Sequence, residues 1–335
     1  MSTTTEPSST VPTTSPASIL QVAAGYMAAK HLFAANELGI FEALADTPAD
    51  LTALAARTGL TTRAARISVD AMVALGFVER SADHYRNGDA VQTFLAGRPG
   101  PDLRPYLRLA DEILYPTFES LAEALGSGPP REAFELDEAK QQVLSAGIEA
   151  ILAGPAAALG HVVDLSDRRR LLDIGGGTGS WTIAVARHNP HLSATIIDLR
   201  TETASERATA AGLSDRIDVL ASDVLSDDLP DGYDTFLLSN LVHYWSPETN
   251  IDLLHRIRRA APAGALLMLA DFWTDPTHTR PVEAALMAGN FAVNLKDGDV
   301  YSVEEVTAWL TTTGWRFDDH RHLNGPQSVV VAHAR

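Results

Sequence analysis

The feature that most constrains the fold is Leu171-Leu-Asp-Ile-Gly-Gly-Gly-Thr-Gly179, an apolar run that ends in glycines and leads into a helical segment at 181–188. A short apolar run of this kind reads as a strand buried on both faces, and such strands belong to parallel sheets covered by helices. Glycines at 175, 177 and 179 permit a sharp turn and bring bare backbone N–H groups to a helix N-terminus, where a ligand can meet the main chain. A dinucleotide-binding turn needs a further glycine at position 180, and that position is Ser180. The spacing is instead Asp173-x-Gly175-x-Gly177-x-Gly179.

Strands alternating with helices continue from residue 170 onward. They are expected at 171–174, 194–198, 217–221, 235–240, 265–270, 316–320 and 328–333. Asn324-Gly325-Pro326 joins the last two, so the final strand should be antiparallel. The N-terminal part reads differently. Residues 1–17 are nearly all Ser, Thr, Pro, Glu, Val and Ala, too poor in large apolar side chains to offset the entropy of ordering, and are expected to form a tail. Apolar residues recur at three and four over 19–37, an amphipathic helix ended by Gly39. Helices at 40–45, 51–57 and 62–75, with a turn at Gly59 and a cap at Thr61 or Thr62, lead to short strands at 77–80 and 84–87. Three helices and a two-stranded ribbon describe a winged helix. Residues 99–160 are helical, with Leu114, Phe118, Leu121 and Leu125 at helical spacing and a Gly126-Ser-Gly-Pro-Pro130 break before a second helix at 138–158. The expected division is a tail at 1–17, a winged helix at 18–98, a helical linker contributing to a ligand pocket at 99–160, and an α/β domain at 161–335.

Charge narrows the partners. A winged helix elsewhere places its third helix in DNA, but residues 41–90 carry five arginines against seven acids, and the whole chain has a net charge of −17. Both repel phosphate backbones and anionic lipids, so the module is expected to be structural or dimerising, with neither nucleic acid nor membrane as partner. Cysteine is absent, which removes disulfides, thiolate metal sites and thiol catalysis and is what a reducing compartment permits. No apolar run approaches the ~18 residues of a membrane span, and no basic segment precedes an apolar one at the N-terminus. A soluble cytoplasmic protein is expected.

The spacing Asp173-x-Gly175-x-Gly177-x-Gly179 resembles the first motif of class I S-adenosylmethionine-dependent methyltransferases. Asp198 closes the second strand, 23 residues after Gly175, where a carboxylate can accept both ribose hydroxyls, and Asp223 closes the third, within reach of an adenine amino group. Three acids at the carboxyl ends of successive strands stand where open α/β sheets bind ligands. Leu238-Ser-Asn-Leu-Val-His243-Tyr-Trp245-Ser-Pro-Glu248 resembles the histidine-aspartate-tryptophan segment of small-molecule O-methyltransferases of the plant caffeate and bacterial polyketide type.

The resemblance covers residues 19–335 and implies a Rossmann-like α/β sheet of six parallel strands plus one antiparallel. It implies S-adenosylmethionine as cofactor, S-adenosylhomocysteine as product, a small-molecule acceptor, and a homodimer formed through the N-terminal domain. His243 falls on the general base that takes the proton of the acceptor hydroxyl, and Asp271, 28 residues later, falls on the carboxylate that holds the imidazole, with Asp in place of Glu. The implied cofactor residues are Asp173, Gly175, Gly177, Gly179, Asp198, Leu199, Asp223, Val224, Ser239 and Asn240. The expected acceptor residues are Tyr115, Phe118, Trp245, Met287, Asn290, Phe291 and Asn294. Departures from the family stand beside these matches. Tyr244 replaces the aspartate after the histidine, Ser239 stands where plant members often have lysine, and a second glutamate expected near Val300 is missing, with Asp299 or Asn294 as replacements. No metal is expected, because His243 and His278 lack the spacing of a ligand pair. Two rival readings are the same fold performing C-methylation or a non-methylating decarboxylation, hydroxylation or rearrangement, and a winged-helix regulator that senses the cofactor.

Overall fold

The computed structural model describes residues 15–129 and 136–335, and the chain divides after Asp111 into two compact units. The expected tail lies outside the described residues up to position 14, as does the far end of the break at 126–130. The division falls inside the segment 99–160 that was expected as a separate linker. Its first part belongs to the N-terminal unit, because Leu103, Tyr106 and Leu107 pack into that unit's core.

The first unit contains α1 (Ala17–Ala23), α2 (Gly25–Glu37), α3 (Ile40–Ala43), β1 (Ala49–Asp50), α4 (Leu51–Thr58), α5 (Thr62–Ala74), β2 (Val78–Ser81), β3 (His84–Asn87), α6 (Asp89–Phe94) and α7 (Arg104–Leu109). The single helix expected over 19–37 is two, broken before Gly25, the weakest helix former short of proline. Capping sets the next starts: Asp50 accepts from Ala53 N at 2.7 Å, and Thr61 accepts from Ala64 N at 3.2 Å. The wing is a three-stranded antiparallel sheet in the order β1-β3-β2, its extra strand too short to show a sequence pattern. Ile40, Phe41, Leu54, Val69 and Met72 form its fully buried core, while Ile19, Leu20, Val22, Tyr26 and Met27 stand exposed on α1 and α2.

The second unit opens with α8 (Tyr115–Thr117), α9 (Leu121–Ser127) and α10 (Glu138–Val162). Then follow β4 (Arg170–Ile174), α11 (Ser180–His188), β5 (Ser193–Asp198), α12 (Glu202–Ala210), β6 (Ile217–Ala221), β7 (Thr235–Ser239), α13 (Pro247–Ala260), β8 (Leu266–Asp271), α14 (Val282–Asn294), α15 (Val303–Thr312), β9 (Trp315–His322) and β10 (Ser328–Ala334). The sheet order is β6-β5-β4-β7-β8-β10-β9. β10 is antiparallel to both neighbours, so the other six strands run one way and the expected six-plus-one arrangement is found. The order reverses between β4 and β7, which opens a crevice at their carboxyl ends. One face of the sheet packs Leu172, Phe236, Leu267 and Trp315 with α13 and α15; the other packs Leu171, Ile196 and Met268 with α10, α11 and α12.

Contrary to the expectation from apolar runs, α10 is long and apolar enough by composition to cross a membrane, with a mean hydropathy of 1.6. Its Pro155, Ala156, Leu159 and Gly160 are buried, and its Glu149 is ion-paired to Arg207.

Asp173, in the centre of the sheet, is fully buried. Thr182 Oγ1 donates to its Oδ2 at 2.6 Å, and its Oδ1 has no partner. Burial raises its pKa to about 7, against the Thr182 hydrogen bond and with the help of the Asp198 carboxylate. The folded protein therefore holds a proton that the unfolded chain releases near pH 4, and stability falls as pH rises from there to about 7. Without added ligand, Asp173→Asn should be more stable than the parent by about 2–4 kcal/mol at pH 8, the gap narrowing as pH falls toward 4. Thermal unfolding across this range measures it, and a gap independent of pH contradicts the assignment.

Candidate functional site

The glycine turn follows β4 directly. Gly175 has φ 67°, and a Cβ on it would lie 2.7 Å from Leu241 Cδ1, so only glycine admits both this backbone and this neighbour. Gly177 differs: with φ 54°, its Cβ position faces nothing within 4 Å, which leaves open space over the turn. Gly179 is the left-handed N-cap of α11. Asp198, at the end of β5, accepts from Gly177 N at 2.9 Å and from Arg200 N at 3.0 Å, which fixes its carboxylate beside the turn. Next to it Leu199 is 73% exposed, an apolar side chain at the crevice with nothing to cover it. Asp223 accepts from Leu225 N at 2.9 Å, and this bond with those of Ser226 holds its pKa below the usual carboxylate range.

At β7 the chain ends in buried Ser239, then turns through Asn240 with φ 51°. Asn240 N donates to Ala270 O at 2.8 Å, and its Oδ1 accepts from Gln327 Nε2. Val224, expected at the cofactor, packs its side chain into the core with Ile197, Tyr233 and Leu254.

A clasp that the sequence did not reveal holds the turn from outside. The Glu149 carboxylate of α10 takes both ends of the Arg207 guanidinium from α12, together with the hydroxyls of Ser180 and Thr178. Burial pushes the Glu149 pKa up, but these donors outweigh it and hold it below its ordinary value. Its partners lie 29 to 58 residues away along the chain, beyond any local pattern.

The dyad stands on the neighbouring strand ends. His243 lies in a short turn after β7 and Asp271 is the last residue of β8, so parallel pairing brings the two side by side. His243 Nδ1 and Asp271 Oδ1 are 2.7 Å apart, with the residues 7% and 1% exposed. Asp271 Oδ1 also accepts from Phe272 N at 2.9 Å, and its Oδ2 is buried without a partner. The imidazole is stacked between Phe291, 3.9 Å away and tilted by 7°, and Tyr244, 4.9 Å away and tilted by 26°. The main-chain carbonyl of His243 accepts from Asp299 N at 3.1 Å, and a Cβ on Gly298 would lie 2.8 Å from that carbonyl, so glycine is required for the approach.

Neither replacement for the second glutamate reaches the imidazole through its side chain. Asn294 Nδ2 donates to Asn290 O at 2.8 Å, and Asp299 Oδ1 accepts from Val300 N at 2.7 Å. Val300 itself is buried with Phe291 and Leu295. Of the expected acceptor residues, Phe291 touches the dyad, Met287 packs beside it with Phe272, and Phe118 of the segment before α9 lies against α14 near Gly289. Tyr115 opens α8. Trp245, expected as a pocket wall, packs half-buried against the sheet core, and its carbonyl accepts from Tyr301 Oη at 2.6 Å. An imidazole that gives its Nδ1–H to Asp271 keeps a lone pair at Nε2, and Nε2 has no protein partner among the described residues. The arrangement can take a proton from a group placed in the crevice.

Residues 106–316 match the family model of the O-methyltransferase domain, and residues 20–97 match that of the O-methyltransferase dimerisation domain. The chain is 35% identical to 3-hydroxy-5-methyl-1-naphthoate 3-O-methyltransferase of Streptomyces sahachiroi, over 89% of each protein. It is 29% identical to the tetracenomycin polyketide synthesis 8-O-methyl transferase TcmO of Streptomyces glaucescens, over 94% of this chain and 96% of that one. It is 29% identical to L-tyrosine C(3)-methyltransferase of Streptomyces lavendulae, over 92% and 90%. Among solved structures, PigF with SAH superposes with a TM-score of 0.79 at 28% identity, covering 95% of this chain and 99% of that one. The chain belongs to the O-methyltransferase family and is an S-adenosylmethionine-dependent methyltransferase.

Proposed function

We propose that the enzyme methylates a hydroxyl, or a carboxyl, of a small aromatic or polyketide-type natural product, with His243 as general base and Asp271 as the carboxylate that orients it. The observation that carries this reading is the buried 2.7 Å contact between His243 Nδ1 and Asp271 Oδ1, on the strand ends next to the glycine turn. Similarity to enzymes named for naphthoate and tetracenomycin O-methylation supports an aromatic acceptor.

The crevice fits S-adenosylmethionine: the space over Gly177 is open, and the bare apolar Leu199 stands beside a carboxylate suited to a diol. Asp198 would hold the ribose hydroxyls, Asp223 the adenine amino group, and the N–H groups of the turn the remainder. When bound, the cofactor would supply a methyl carried on a sulfonium, and sulfur would keep the pair of the broken carbon–sulfur bond as the acceptor oxygen bonds the carbon. His243 Nε2 takes the acceptor proton, while Asp271 keeps the Nδ1–H side oriented and favours the imidazolium that results. Phe291 and Tyr244 on the two faces of the ring keep water from it and fix its plane. Holding the reacting atoms in line should provide most of the acceleration, with the base adding ~10²–10⁴-fold.

The exposed apolar residues of α1 and α2 suit a homodimer built through the N-terminal unit. A second reading, C-methylation, is favoured by the similarity to L-tyrosine C(3)-methyltransferase, and NMR of the methylated product distinguishes the two.

His243→Ala should lower kcat by about 10²–10⁴-fold and leave cofactor affinity near that of the parent. A loss of less than about tenfold means an acceptor already ionised, with no base at work. Asp198→Ala should weaken S-adenosylhomocysteine binding by about 1.5–3 kcal/mol in calorimetry, the worth of hydrogen bonds to a charged group. Light scattering should give a dimer, and Leu20→Asp with Val22→Asp a monomer; a parent protein monomeric at micromolar concentration removes the dimer.

A further inference from the structure

Asp223 follows β6 at the head of a turn whose internal hydrogen bonds give it shape. Asp223 O accepts from Ser226 N at 3.1 Å and from Asp227 N at 2.9 Å, while Asp223 N donates to Asp227 Oδ2 at 2.9 Å. These bonds do not tie the turn to the sheet, and residues 225–228 are exposed. The tie comes from α13. Val224 lies in one buried cluster with Leu253, Leu254 and Ile257 of that helix. Arg256 stands between them in sequence, its Nη1 donating to Val224 O at 2.7 Å and its Nη2 to Asp227 O, so that one planar guanidinium spans both ends of the segment after Asp223. No main-chain N–H of the described residues donates to either carbonyl. Both bonds go to carbonyls, although the carboxylates of Asp227 and Asp228 stand in the same segment. The same helix holds the turn that carries His243, since Asn250 Nδ2 donates to Val242 O at 2.9 Å and to Trp245 O at 3.0 Å.

We infer that Arg256 is a positioning residue that makes the cofactor site selective for a purine bearing a 6-amino group. By gripping both ends of the turn, it holds the Asp223 carboxylate where the amino group of adenine can donate to it. A turn released from Arg256 keeps its internal bonds and its carboxylate, but the carboxylate loses its fixed place, and a hydrogen bond weakens steeply with distance and angle. The contacts that the rest of the cofactor makes at Asp198 and the glycine turn do not pass through α13, so they are left as they are. This inference rests on the proposed contact of Asp223 with the adenine amino group.

The test is calorimetry on the full-length enzyme with two ligands: S-adenosylhomocysteine, and its analogue with unsubstituted purine in place of adenine, which lacks only the amino group. The parent should bind S-adenosylhomocysteine at least about tenfold more tightly than the analogue, what a hydrogen bond to a carboxylate contributes, and Asp223→Ala should cut this preference to about twofold or less. Arg256→Met, of similar length and without donors, should cut it to about threefold or less while the analogue binds within about threefold of its affinity for the parent. A merely structural role of Arg256 would weaken both ligands alike and overturns the inference, as does an Arg256→Met enzyme that keeps the parent's ratio. Arg256→Gln, too short to span both carbonyls, is read in the same way if the methionine enzyme does not fold. A parent without preference, or an Asp223→Ala enzyme that keeps it, removes the contact with the amino group and the inference with it. A preference lost in Asp223→Ala and kept in Arg256→Met removes the inference alone.

Discussion

The contact of Leu241 with Gly175 couples the two halves of the site. Leu241 comes two residues before the candidate base and presses on the first glycine of the cofactor turn, where a Cβ would be 2.7 Å from it. The turn after β4 and the turn after β7 are thus one packed body. Gly175 serves twice, once for its left-handed backbone and once for the space that it leaves to Leu241. The parallel register of β4, β7 and β8 does the rest, since it sets Asp173 level with Leu237 and Met268, and Ser239 level with Ala270, the residue before Asp271.

The dyad itself is built in an apolar setting. Phe291, Leu295 and Val300 fill the side on which relatives of this kind are expected to carry a second carboxylate. The imidazole is held instead by one carboxylate and two aromatic rings, and the His243 main chain by an N–H on its carbonyl. Asp271 is shorter than the glutamate expected from the family and still reaches 2.7 Å, because the side chain starts from the last residue of a strand directly beside the base.

What was legible in the sequence follows from how local each signal is. The strand ends, the glycine turn, the acids after them and the cap at Thr61 depend on residues a few positions apart, and the structure has them in place. The spacing of His243 and Asp271 was readable only through the family resemblance, since nothing local links the two. The Glu149 clasp was invisible because its partners come from the turn and from α12. Trp245 and Val224 each follow an expected functional residue closely in sequence, and the packing of their side chains against the core is not something a local pattern reveals. The apolar composition of α10 reports its packing along α11.

The strand order carries a consequence for folding. β10 lies between β8 and β9, although β9 is made before it, and β9 joins the sheet through β10. Until residues 328–334 are in place, β8 has an open edge and β9 has no strand to pair with. Ser328 pairs directly opposite Asp271, so the strand that carries the dyad carboxylate is flanked on that side by one of the later segments of the chain to be synthesised. A chain halted before residue 328 holds the whole glycine turn and both members of the dyad, yet presents a flat apolar edge at Leu266–Asp271 on which another chain can add a strand.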